Sequence, residues 1–246
     1  MKLAAFVVLA ACGPVPSHLI DAPPSIDSAR AIDARPIDAA PALEVGPYRH
    51  AIAIDGVDDF TSEETFATTS SAAGYAARVA WDATNLYVGY SGADIASGST
   101  TKWVFAYVDL DPGGATGATT SAVYNTQHAT FPTGFGAELY ARWKTTATFS
   151  SIETYDGNAW STSATPLAAA QQSTFVELAI PRSLLGGATS IGVATFMINE
   201  ASGVEASYAG LYAGNFTDGY MPTLAKYLRV DFAASRTPND PLNVAP

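Results

Sequence analysis

Cysteine is nearly missing from this sequence: Cys12 is the only one in 246 residues. An internal disulfide framework and a cysteine metal site are therefore excluded. Positive charge is also scarce, with 12 Lys and Arg against 23 Asp and Glu and a net charge of −11. A polyanion such as nucleic acid would be repelled, and no basic stretch offsets this, so no nucleic-acid partner is expected. No apolar run reaches the roughly 20 residues that a membrane-spanning helix needs. The histidines, His18, His50 and His128, are scattered, and no His-Glu-x-x-His zinc pattern appears. The stretch "GYSGA" lacks the glycine spacing of a serine-hydrolase elbow. No catalytic residue is assigned and the chain is not expected to be an enzyme. A carboxylate pair for glycoside hydrolysis leaves no local signature and stays an open alternative.

What is present begins with "MKLAAFVVLAACGPVPS". Lys2, the apolar run Leu3 to Leu9 and the small pair Ala10-Ala11 form an export signal. "LAAC" (Leu9 to Cys12) resembles the lipobox of bacterial lipoproteins, which implies cleavage before Cys12 and lipidation of its thiol. A plain secretory signal with an incidental cysteine is the alternative. A signal peptide over residues 1–11, a lipid anchor at Cys12 and a place at the bacterial cell envelope, on the outer membrane or cell surface, are the expectations. Residues 12–47 repeat Ile-Asp at Ile20, Ile26, Ile32 and Ile37, with Pro and Ala between. Large apolar side chains are too few there to offset ordering entropy. A disordered tether is expected, reaching on the order of 100 Å when extended.

From Tyr48 the pattern changes to short alternating runs broken by Gly, Asp and Asn turns. "HAIAIDG", "AARVAWDATNLYVGYSG", "KWVFAYVDLDPGG", "GAELYARWK", "ATFSSIETYDGNAWST", "STFVELAIP", "TSIGVATFMINE" and "KYLRVDF" read as strands. One helical turn is expected at Pro181 to Leu185. With 48% hydrophobic residues and no long helix, an all-β, two-layer antiparallel β-sandwich is expected over residues 48–235. It would be of jelly-roll or immunoglobulin-like type, with a tail over 236–246.

The order of "AIDGVDDF", "ARVAWDATNLYVGYSGADI", "VFAYVDLDP", "VELAIPRSLLG" and "IGVATFMINE" resembles the family 9 carbohydrate-binding modules and the related dopamine-β-monooxygenase N-terminal type domains. That resemblance implies a β-sandwich and, in many members, sugar binding. It also implies haem in some relatives, for which Met197 and His128 are the only candidate axial pair considered.

Sugar sites need flat aromatic faces with polar groups beside them. Strand alternation puts Glu138, Tyr140, Arg142 and Lys144 on one side, and Trp103, Phe105, Tyr107 and Asp109 on one side. Glu177 shares a face with Phe175 and Ala179. Trp160 follows the turn Asp156-Gly157-Asn158, while Trp81 and Trp143 point into the core. The candidate ligand-binding set is Trp103, Tyr107, Asp109, Glu138, Tyr140, Arg142, Trp160 and Glu177, gathered on one polar-aromatic face. The bland alternative is a solvated face with ion pairs such as Arg142 with Glu138 or Glu177. For a metal, Asp109 and Asp111 in "DLDPGG", and Asp55 and Asp58 in "AIDGVDDF", offer the hard oxygens that Ca²⁺ takes; otherwise they cap turns. The reading is a membrane-anchored, non-catalytic carbohydrate-binding module, monomeric, with carbohydrate and, through its lipid, the membrane as partners. A structural or adhesion lipoprotein with a protein partner is the alternative.

Overall fold

The computed structural model describes residues 46–68, 73–201 and 204–246. The expected signal peptide, Cys12 and the Ile-Asp repeats lie outside the described residues. In chain order the strands are β1 (Thr65–Ala67), β2 (Ala76–Trp81), β3 (Asn85–Ser91), β4 (Lys102–Asp109), β5 (Leu139–Lys144), β6 (Ser150–Tyr155) and β7 (Trp160–Thr162). They continue as β8 (Ala168–Gln172), β9 (Phe175–Pro181), β10 (Ser190–Ala201), β11 (Val204–Tyr208), β12 (Tyr227–Asp231) and β13 (Val244–Ala245). Two sheets result, one of five strands in the order β1-β2-β3-β9-β8. The other has eight, β13-β12-β10-β4-β5-β6-β7, with β11 on the free part of β10. All of these ladders are antiparallel. The β-sandwich is thus the fold, and the expected helical turn is a 3-10 turn at Arg182–Leu185.

The inner faces meet in the main core. Val79, Trp81, Leu86, Val88 and Tyr90 of the smaller sheet pack on Val104, Val108, Trp143, Ile152, Val193 and Met197 of the larger. Each such side chain contributes about 1.5–3 kcal/mol by leaving water. Tyr90 brings a hydroxyl into this layer and satisfies it across the gap, on Thr195 Oγ1 at 2.7 Å and Ala209 O at 3.1 Å. Trp81 and Trp143 are core residues, as expected.

The outer face of the larger sheet is a second core. Phe105, Tyr107, Tyr140 and Phe196 pack there under Phe131, Phe135 and Ala137 from the β4–β5 connection and Phe216 and Leu224 from the β11–β12 connection. The two connections are zipped together, Thr130 N to Pro222 O at 2.8 Å and Leu224 N to Thr130 O at 2.9 Å. The smaller sheet has a cover of its own, where Ile52, Ile54 and Phe60 lie over Ala80, Tyr87 and Ala179.

Two expectations change. "HAIAIDG" is not a strand: Ile52 is buried as cover over the smaller sheet, with no ladder partner. Residues 236–246 are not a free tail. Asn239 bonds Ser62 O and Glu63 O, and Val244–Ala245 adds β13 to the edge of β12. The edge strand β8 was missed because "AAAQQ" carries no apolar alternation to read.

The roof over the larger sheet closes where Gly117 and Gly136 pass backbone against backbone. A Cβ on Gly136 would lie 1.9 Å from Thr116 O. Gly136→Ala therefore has to push the β4–β5 connection off the sheet. The expected outcome is a loss of about 1–3 kcal/mol in urea unfolding, as overpacking costs, with an unchanged m-value. An unaltered midpoint would show that the roof is not held at this crossing.

Candidate functional site

The expected polar-aromatic face exists in register but is not open. Trp103, Phe105 and Tyr107 of β4 stand opposite Lys144, Arg142 and Tyr140 of β5, so the alternation argument placed them correctly. The roof then takes them out of water: Trp103 is 6% exposed, Tyr107 1% and Tyr140 3%. Tyr107 accepts a hydrogen bond from Ala122 N of the roof. The face of Trp103 is occupied by the protein's own cations, with Lys144 Nζ 4.5 Å and Arg142 Cζ 5.6 Å from its centroid. Trp160 is half-buried against Tyr140 and Tyr155, at 4.7 and 5.0 Å between centroids.

Arg142 is fully committed. It donates to Tyr124 Oη at 2.6 Å, Ser151 Oγ at 2.9 Å and Glu153 Oε1 at 2.9 Å. Its partner is therefore Glu153, not Glu138 or Glu177. Glu177 is removed from this face altogether, because β9 belongs to the other sheet. There it is buried and accepts from Asp55 N and Gly56 N at 2.5 Å. It thus fastens the cover over the smaller sheet. Desolvation raises its pKa, against the lowering effect of those two hydrogen bonds. The haem pair also fails geometrically. Met197 sits in the core between the sheets, whereas His128 belongs to the roof beyond the outer face.

Of the expected metal ligands, Asp55 and Asp58 have structural partners. Asp55 caps Val57 N, and Asp58 pairs with Arg78 at 2.7 Å. Asp109 and Asp111 are joined by Glu138, an oxygen from each lying within 4.8 Å of the others. Asp109 holds Asp111 N and Gly136 N; Glu138 holds Leu110 N and Thr116 Oγ1. Burial, and then the charges of Glu138 and Asp111, push the Asp109 carboxyl up to about 6. Three hard oxygen donors where β4 ends and β5 begins fit calcium, with Asp109, Asp111 and Glu138 as the residues that would hold it.

A more open site lies at one end of the sandwich, a cleft of about 530 Å³ that includes Arg49, Arg182, Ser183, Thr189 and Phe232 in its lining. Sequence reasoning noted the turn that carries Arg182 but gave it no role. Pro181 ends β9, and Arg182 N then docks on Thr84 O at 2.7 Å. The guanidinium lies over the Phe232 ring, Cζ 3.7 Å from its centroid, and Nη1 donates to Asp82 O at 2.9 Å. The Asp82 carboxylate is already spent on Thr84 N, Thr84 Oγ1, Asn85 N and the Tyr87 hydroxyl. Arg182 therefore receives a carbonyl and no carboxylate. Desolvation, then repulsion from Arg49, lowers its pKa. The sequence signal for this site is weak: an arginine just past a strand-ending proline, with its neighbours more than 40 residues away at Arg49 and Phe232.

No family model matches the sequence, and no curated protein does. Among solved structures, a family 9 carbohydrate-binding module from Caldicellulosiruptor kristjanssonii, in complex with cellotriose, is similar in structure. It is 15% identical, with 72% of this chain and 90% of that chain covered, at a TM-score of 0.37.

Calcium gives a test with a pH signature. The raised Asp109 pKa means that the folded chain favours its protonated form. That stabilising contribution is complete below the ordinary value of 3.8 and is lost as pH rises through about 6. Calcium and the proton compete for the same oxygens. Added Ca²⁺ is therefore expected to raise Tm more at pH 7 than at pH 5, and Asp109→Asn is expected to remove the difference. An equal Tm with calcium and with chelator at pH 7 would rule the ion out.

Proposed function

We propose that this chain is a non-catalytic carbohydrate-binding module, held at the cell envelope by a lipid on Cys12. The ligand is held in the end cleft and not on the roofed strand face. One observation carries the reading: an open cleft lined by the Arg182 guanidinium held over the Phe232 ring, Cζ 3.7 Å from its centroid, with Ser183 and Thr189 beside it. A sugar ring presents a flat C–H side and a periphery of hydroxyls. The stacked guanidinium and aromatic supply the flat side, and Arg49, Ser183 and Thr189 supply polar partners for the periphery. The non-catalytic assignment follows the cleft's composition, since no carboxylate or histidine is among its lining residues. Acid–base chemistry there would lack a proton donor and acceptor.

The ring contacts of Tyr107, Tyr140 and Trp103 serve the roof in this reading. Their substitution acts on stability, whereas substitution at the cleft acts on binding. Ser183 is exposed on the cleft wall, and a surface change of this kind costs within about 0.5 kcal/mol. Ser183→Trp is expected to fill the cleft and weaken saccharide binding by about tenfold or more, at an unchanged Tm, as read by calorimetric titration across neutral and acidic oligosaccharides. Undiminished binding by this variant would place the sugar elsewhere. For the anchor, labelled palmitate is expected to enter the wild-type chain in an exporting bacterium and to be absent from Cys12→Ala, which should move to the soluble fraction. Label retained in that variant would remove the lipoprotein assignment.

A further inference from the structure

We infer that the end cleft receives an acidic saccharide, a sugar chain bearing carboxylates, with Arg49 and Arg182 as the carboxylate receptors; this rests on the reading above that the cleft binds carbohydrate. The arginines of the described residues are partnered unequally. Arg78 pairs with Asp58 at 2.7 Å and Arg142 with Glu153 at 2.9 Å. Arg49, Arg182, Arg229 and Arg236 have no carboxylate within ion-pair distance among the described residues, and all four line the same end of the sandwich. Acidic residues outnumber basic ones about two to one in this chain, so an unpaired cationic end is not what chance mixing would produce.

The chemistry of Arg182 favours a carboxylate. Only Nη1 is committed, to Asp82 O. Its Nε and Nη2 groups make no hydrogen bond among the described residues. Those two N–H groups are parallel and match the two oxygens of a carboxylate. The Phe232 ring and the Nη1 bond to Asp82 O hold the side chain, so little rotamer entropy remains to be lost on binding. Burial and the nearby Arg49 both disfavour the charged state of Arg182, against the favourable charge of Asp82, and an incoming anion offsets the repulsion from Arg49. A neutral sugar would leave that repulsion in place.

The ligand is a chain and not a single unit. Thr189 lines the cleft and also a second groove of about 420 Å³, whose other residues include Arg229, Asp231 and Arg236. The Nε of Arg236 is buried there without a hydrogen-bond partner. Successive carboxylates along a uronate chain would meet Arg182 and Arg49 first and Arg229 and Arg236 next.

The test is calorimetric titration of the full-length chain, in chelator, with galacturonate oligomers, the same oligomers with their carboxyls reduced to alcohols, and sulfated oligomers of equal length. The expected result is binding of the galacturonate oligomers at least about tenfold tighter than of the reduced ones. Arg49→Glu, on an exposed side chain, should lose at least that factor with Tm unchanged. Arg182→Gln should do the same, with its Tm read alongside. Equal affinity for acidic and reduced oligomers, both abolished by Ser183→Trp, would overturn the acidic specificity and leave the cleft as a neutral-sugar site. Tighter binding of the sulfated oligomers would overturn the carboxylate assignment. Galacturonate binding indifferent to Arg49→Glu and Arg182→Gln would overturn the location. No binding of any oligomer would overturn the carbohydrate reading with it.

Discussion

The rings of Phe105, Tyr107 and Phe196 stack across the outer face of the larger sheet, with interplanar angles of 8° to 21° and centroids 5.6 to 6.3 Å apart. An antiparallel sheet commonly leaves one face to water, but β4 is apolar on both faces, with Val104, Ala106 and Val108 inside and Trp103, Phe105 and Tyr107 outside. Leaving the outer set exposed would forfeit several kcal/mol of burial and present an apolar patch prone to association. The β4–β5 connection therefore cannot be an ordinary loop. It must return over the strand it has just left, and it does so with Phe131 and Phe135 as its apolar underside. The close crossing of Gly117 and Gly136, the Gly136 N to Asp109 bond and the zip to the β11–β12 connection all follow from that requirement.

The same requirement sorts the charges. Once both sheets are covered, several acidic groups act as fasteners: Asp109 and Glu138 for the roof, Glu177 for the segment over the smaller sheet, Asp82 for the β2–β3 turn. Fasteners accept hydrogen bonds from backbone N–H groups, and such carboxylates are unavailable to arginines elsewhere. Asp82 shows this most directly. It sits beside Arg182 and yet offers it only a main-chain carbonyl, because all of its side-chain capacity is taken within its own turn. The free cations at the end of the sandwich are the complement of carboxylates consumed in the covers.

Strand positions were readable in the sequence because period-2 alternation and Asp-Gly-Asn turns are local signals. The β2–β3 and β6–β7 hairpins and the 3-10 turn at Arg182 lie where those signals put them. The sidedness of β4 and β5 was readable too. What alternation does not say is whether the second face meets water. A clue was available in the run from Trp103 to Val108 and from Ile191 to Phe196, where polar residues almost vanish; near-continuous apolar strands are buried on both sides. Reading Tyr107 and Tyr140 as a ligand platform followed from treating residues 110–138 as a plain loop. Assigning Glu177 to that face followed from the absence of any sequence signal for which sheet a strand joins. The end cleft was least legible, because Arg49, Arg182 and Phe232 are brought together only by the closing of both chain segments on the sandwich edge.

A chain of net charge −11 with a cationic cleft raises a question of distance. Its overall field repels an anionic ligand at long range, but at physiological salt that field decays over about 8 Å. On the proposed reading, a ligand carboxylate in the cleft would come within contact distance of the Arg182 guanidinium, which burial has partly stripped of hydration. At that range the local pair outweighs the screened remainder, and hydrogen bonds to the fork add to it. The two effects act on different steps. Overall charge slows encounter and discourages loose adsorption of acidic polymers at any point on the surface. The cleft governs how long a correctly seated ligand stays. On the proposed reading, a binding module built this way would discriminate by position and not by general attraction, with its acidic surface as part of that discrimination.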